Sequence, residues 1–150
     1  SKEEIPMRFH LLAPLLFFLC LPVADATTYV VDPDGTGDFP TIQAAIDVAI
    51  DGDVIELTDG IFTGPGNRDL SYLGKAITIR SQSGDPATCH IACENAGRAF
   101  VVVNDEGSGS VLESISMVNG RAAVYPEHVG GAINCSGGDP LIHNCGFYNN

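Results

Sequence analysis

The side chains of this 150-residue chain that could do chemistry fall into a few groups. Asp32, Asp34 and Asp38 lie within seven residues, DPDGTGD, with Gly between them. Carboxylates so gathered can converge on calcium, a hard cation that takes oxygen ligands. The order D-x-D-G-x-G-D does not match the calcium loop D-x-[DN]-x-[DN]-G, and Asp and Gly are ordinary turn formers. The stretch is read as a turn and no cofactor is expected, calcium being the one candidate. Cys89, Cys93, Cys135 and Cys145 could pair as disulfides, pack in a core or hold zinc. Intervals of three and nine intervening residues match no common zinc pattern, so disulfide pairing or burial is expected and no metal site. Arg68, Lys75, Arg80, Arg98 and Arg121 are scattered, and His90 and His143 lie in strand patterns where a half-buried or surface ring is the ordinary reading. His128 is different. It lies in RAAVYPEHVGG, the longest insertion between strand patterns, and loops on a repetitive scaffold carry binding. Tyr125, Glu127 and His128 are therefore the candidate ligand-binding residues, and no catalytic residue is assigned.

The elements that must position these groups are short. Ile42, Ala45, Ile46, Ala49 and Ile50 recur at three- and four-residue steps and share one apolar face, predicting an amphipathic helix. Pro40 and Thr41 start it and Asp51-Gly52 end it. A helix this short is unstable alone, so its face must cover something; it is read as the lid on the open end of a coiled sheet. Strand patterns then follow at 29–31, 54–57, 76–80, 90–93, 99–103, 111–118, 131–135 and 141–147, separated by Gly, Asn, Asp and Pro. Residues 59–75 read as a looping excursion. An all-β chain with one helix results.

Internal repetition decides the architecture. Leu112, Ile115, Met117 and Asn119-Gly120 return thirty residues later as Ile142, Cys145, Phe147 and Asn149-Asn150, both copies reading apolar-x-x-apolar-x-apolar-x-Asn. Gly84-Asp85-Pro86 is echoed by Gly138-Asp139-Pro140. Periods of tens of residues indicate a solenoid or array. Asn tolerates the left-handed conformation of a tight corner, and stacked Asn can hydrogen-bond from turn to turn, which favours a parallel β-helix over a hairpin-built sandwich.

Met7-Arg8, the apolar run LLAPLLFFLCLPVA and the small-x-small end Ala24-Asp25-Ala26 form a secretory leader pattern, too short to span a membrane. Residues 1–26 are thus read as upstream residues plus a leader cleaved after Ala26, leaving no membrane span. A formal charge of −12 argues against nucleic acid or an anionic membrane as partner. The acids at 32–38, 51–59 and 105–106 are expected to be solvated in turns. The chain ends at GFYNN just after a repeat unit, so residues 27–150 are read as the N-terminal cap and first rungs of a β-helix truncated at its C-terminal end.

GTGDFPTIQAAIDVAIDGDVIEL, KAITIRS and the VLESISMVNG…GGAINC…PLIHNC repeats resemble secreted bacterial right-handed parallel β-helix proteins of the pectin-lyase-like superfamily, over about Tyr29 to Asn150. The opening Gly35-x-Gly37-Asp38-Phe39-x-Thr41-Ile42-Gln43 also resembles the start of pectin methylesterases. The resemblance implies a right-handed parallel β-helix with an N-terminal capping helix. It does not bring a catalytic set: where the esterases carry Gly-x-Tyr-x-Glu, this chain has Gly60-Ile61-Phe62-Thr63-Gly64. The expected role is a secreted or cell-surface scaffold for adhesion or polysaccharide binding, with extracellular polysaccharide or cell-surface glycans as partners and no catalysis in this segment. The alternative is the N-terminal portion of a polysaccharide lyase, esterase or hydrolase with its catalytic rungs beyond residue 150.

Overall fold

A computed structural model describes residues 25–122 and 131–150. The described residues form a parallel β-solenoid, mostly strand, with one short helix among them. In order along the chain lie β1 (Thr28–Val31), α1 (Ile42–Val48), β2 (Val54–Leu57), β3 (Gly60–Phe62), β4 (Thr78–Ser81), β5 (Cys89–Ala92), β6 (Phe100–Val102), β7 (Val111–Glu113), β8 (Ser116–Val118), β9 (Ile133–Cys135), β10 (Leu141–His143) and β11 (Gly146–Tyr148). Three parallel sheets stack along the coil. Sheet I has the order β1-β2-β4-β7-β10, sheet II β11-β8-β5-β3, and sheet III pairs β6 with β9. Five successive strands in sheet I mean about four turns of the solenoid.

Register explains why such short strands hold. Parallel pairing aligns Tyr29, Ile55, Ile79, Leu112 and Ile142 into one column of sheet I. Phe62, Ile91, Met117 and Phe147 form the matching column of sheet II. Leu70 bridges Phe100 beside sheet III, and Tyr72 stacks on Phe100 at 5.5 Å while its hydroxyl donates to the Val111 carbonyl at 3.0 Å. The coils from β2 to β8 thus add successive apolar layers to one core, each large buried side chain stabilising by about 1.5–3 kcal/mol, while Ile142 and Phe147 on the last coil are exposed.

The thirty-residue repeat is real: Leu112 pairs with Ile142 and Met117 with Phe147. What the pattern read as single strands at 111–118 and 141–147 are two strands each, broken at Ser114 (φ 57) and Asn144 (φ 49). The two-residue gap between Leu112 and Ile115 is that corner, where the chain leaves sheet I for sheet II. Asn119 (φ 56) and Asn149 (φ 55) turn the next corner in the left-handed conformation expected of them. Asn side chains also tie coils together. The Asn144 amide donates to Ser114 Oγ at 3.0 Å, and Asn150 accepts from Gly120 N at 2.6 Å and donates to the Met117 carbonyl at 3.0 Å.

Several expectations change. Gly84-Asp85-Pro86 precedes β5 in sheet II, whereas Gly138-Asp139-Pro140 precedes β10 in sheet I, so that echo joins non-equivalent corners. Residues 60–62, read as loop, form β3, paired with β5. Thr41 caps α1 as expected, its hydroxyl accepting from Ala44 N at 3.3 Å. The helix stops at Val48, however, because Ala49 turns to an extended conformation (ψ 149), and Ile50 is 55% exposed rather than on the buried face. Ile42, Ala45, Ile46 and Ala49 are buried in the common core.

Candidate functional site

The proposed loop residues Tyr125, Glu127 and His128 lie outside the described residues, as does the leader pattern up to residue 24. The Asp32–Asp38 stretch forms the expected turn. Asp32 accepts from Asp34 N at 3.1 Å and from the Thr58 hydroxyl at 2.9 Å; Asp38 accepts from Val30 N at 2.7 Å. Asp34 accepts from the Thr36 hydroxyl at 2.6 Å, and this bond, ahead of the Thr36 backbone N–H, holds its carboxyl below the usual carboxylate range. Among the described residues no group of three or more His, Cys, Asp or Glu is placed to hold a metal ion.

The four cysteines among the described residues are free thiols. Cys89 and Cys93 lie in the core, Cys145 is half-buried and Cys135 exposed. Burial pushes the Cys89 thiol up to about 12 and the Cys93 thiol up to about 11, away from the thiolate that reacts or binds metal. Cys145 is raised by the same desolvation.

Two acids expected in solvated turns are buried. Asp53, 1% exposed, accepts from Thr27 N and Ile50 N, both at 2.8 Å. Glu106, equally buried, accepts from Asn104 N at 2.7 Å and Gly74 N at 3.4 Å. A buried carboxylate persists only when hydrogen-bonded or paired, and neither partner set could be read from local sequence.

What the solenoid does bring together is a column on the outward face of sheet I: Val30, Glu56, Arg80, Glu113 and His143 occupy one register position on successive coils. Adjacent parallel strands lie about 4.8 Å apart, so these side chains are neighbours although 24 to 33 residues separate them. Arg80 binds Glu56 Oε1 through Nη2 at 2.6 Å and Nε at 3.1 Å, and Gln82 reaches Glu56 Oε2 at 3.4 Å. His143 Nδ1 stands 3.8 Å from Glu113 Oε1. Beside the column runs a groove of about 230 Å³ lined by Glu56, Arg80, Ser81, Gln82, Ser83, Gly84, Glu113 and Ser114. Its Ser81 and Ser83 belong to a hydroxyl network: Ser83 and Thr88 donate to Asp59 Oδ1 at 2.6 and 2.7 Å, and Ser81 lies 3.0 Å from Ser83. The Ser83 bond first, then that of Thr88, keeps the Asp59 carboxyl below its ordinary range.

Sequence reasoning treated Arg80 and His143 as isolated surface groups. A signal was present, since each of these polar residues directly follows an apolar one (Ile55-Glu56, Ile79-Arg80, Leu112-Glu113, Ile142-His143). Unequal loop lengths hid it. In the groove, Arg80 is bonded to Glu56, Ser83 lies within hydrogen-bond distance of Ser81 and donates to Asp59, and Ser114 accepts from the Asn144 amide. His90, the other described strand histidine, has Nε2 2.9 Å from the Ala87 carbonyl.

A second depression, about 500 Å³, lies at the end of α1 between Asp47, Val48, Ala49, Ile50, Asp51 and Lys75. Lys75 Nζ donates to the Ile46 carbonyl at 2.6 Å and that of Asp47 at 3.0 Å, a cation at the negative end of a helix. The chain matches no family model, and comparison with curated proteins and with solved structures finds no match.

Proposed function

We propose that the chain is a secreted β-solenoid scaffold that binds an extended, uncharged polysaccharide along the outward face of sheet I. The observation that supports this reading is the Glu56–Arg80–Glu113–His143 column with its hydroxyl-lined groove. Donors and acceptors repeat at the coil spacing, a geometry that suits a polymer lying across several coils. The charge of −12 disfavours polyuronates and other polyanions and leaves neutral hydroxyl-rich chains as the fitting class. Export is supported by the leader pattern at 7–26. A right-handed, pectin-lyase-like coil is the finer reading of the fold, supported by the near-universal right hand of parallel crossovers. The burial of Ile42, Ala45 and Ile46 likewise supports α1 as its N-terminal cap.

Affinity electrophoresis in gels holding neutral glucans, galactans or mannans tests the reading, with polygalacturonate gels as control. Retardation by a neutral polymer is expected, and Arg80→Ala should weaken it about tenfold, the worth of one lost hydrogen bond to a charged group. Migration unaffected by every neutral polymer, or retardation unchanged in Arg80→Ala, would exclude this face as the binding site.

A further inference from the structure

We propose that the Ala26–Thr27 peptide bond is a processing site, and that its hydrolysis frees a Thr27 α-ammonium group that pairs with the buried carboxylate of Asp53, fastening the first strand to the solenoid. The geometry is already in place. Thr27 N lies 2.8 Å from Asp53 Oδ1, while the Thr27 carbonyl accepts from Val54 N at 2.8 Å. Asp53 Oδ2 accepts from Ile50 N at 2.8 Å just past α1, and the Asp53 carbonyl accepts from Thr78 N at 3.0 Å on the next coil. One residue thus ties β1, the end of α1 and β4 together.

Asp53 is 1% exposed, yet among the described residues both hydrogen bonds to its carboxylate come from neutral backbone N–H groups. A buried carboxylate without a countercharge is costly. The residue before Thr27 completes the small-x-small pattern Ala24-Asp25-Ala26, and Ala26 is exposed, so the bond that would supply the countercharge is also the one the leader pattern marks. In the cleavage, the oxygen of water bonds to the Ala26 carbonyl carbon as the C–N bond breaks, and both water protons end on the Thr27 nitrogen, leaving a carboxylate on the leader and an ammonium group on Thr27. A leader-removing hydrolase of the export route catalyses the step. Lys75, the nearest lysine in sequence, is occupied at the α1 carbonyls, and Asp51 accepts from Ala76 N at 2.9 Å.

The inference rests on the export reading but not on polysaccharide binding. Full-length chain expressed in an exporting bacterium should be recovered with Thr27 as its first residue; another terminus overturns the processing site. Independently, the same terminus is made from the full chain through an engineered protease site ending at position 26, and the Thr27 α-amine is titrated by nitrogen-15 NMR, folded and in urea. An ion pair moves the folded titration to higher pH than the unfolded one, whereas burial alone moves it lower. A folded midpoint at or below the unfolded value overturns the pairing. Acylation of the amine at neutral pH should be roughly tenfold slower in the folded chain than in its Asp53→Asn variant, the equivalent of one pKa unit. Equal rates in the two would also overturn it.

Discussion

Asn119 and Asn149 show how one side chain sets a corner. Both hold φ near +55°, where an L residue with a larger or branched side chain is strained. Asn119→Ala should cost about 1 kcal/mol, while Asn119→Gly should be close to neutral, because glycine reaches that region freely. Urea midpoints of the two variants check this. The thiols make a second residue-scale prediction. Cys89, raised from its ordinary 9.0 to about 12, and Cys93, raised to about 11, stay protonated and inaccessible in the folded chain. Iodoacetamide at pH 8 should modify exposed Cys135 first and spare Cys89 and Cys93 until urea unfolds the protein. Mass spectrometry of the alkylated peptides reads the order. The sign for stability follows. Because the folded thiols ionise at higher pH than unfolded ones, their contribution is complete below pH 9 and is lost as pH rises toward 11 and 12, so the urea midpoint should fall across that interval.

Among the elements, α1 carries the clearest test. Its seven residues bury Ile42, Ala45 and Ile46 against the first coils, and Lys75 and Thr41 satisfy its two ends. If it caps the solenoid, Ile46→Asp forfeits about 1.5–3 kcal/mol of apolar burial and adds the desolvation of a carboxylate. Thr63→Asp, on an exposed loop after β3, should shift stability by less than about 0.5 kcal/mol. Chemical denaturation of both proteins measures the difference, and equal midpoints would remove the cap reading. The Glu56–Arg80 pair behaves differently. With the Arg80 side chain 43% exposed, its loss should change stability by no more than about 1 kcal/mol, so weakened retardation in Arg80→Ala reports on recognition rather than unfolding.

At the scale of the molecule, coiling turns distant residues into neighbours without making a catalytic set among the described residues. Turnover on polysaccharides needs carboxylates, or a bound cation with a base, converging within a few ångströms. The outward column of sheet I instead pairs Glu56 with Arg80 and sets the His143 ring 3.8 Å from Glu113. No cleavage of pectin, polygalacturonate or alginate is expected from purified monomer, with or without calcium. A reducing-end assay checks this. Activity that vanishes in Arg80→Ala would make the column an active site instead of a binding face.

The amino-acid sequence by itself determined the class of fold. Apolar residues at helical spacing in 42–50 and the thirty-residue return of Leu112 and Met117 as Ile142 and Phe147 are local patterns that survive in the solenoid, save that Ile50 is exposed and the runs 111–118 and 141–147 each break into two strands. Corners were half legible: Asn119 was recognised, whereas Ser114 was missed because serine carries no conformational signature, although the parity change between Leu112 and Ile115 marked it. Only the tertiary structure decided what faces what. Asp53 and Glu106 look like turn acids until the coil closes over them, and Glu56, Arg80, Glu113 and His143 look scattered until parallel register stacks them. The physical reason is that solenoid register is set by pairing between coils, and the unequal loops between strands erase any fixed spacing that sequence could display.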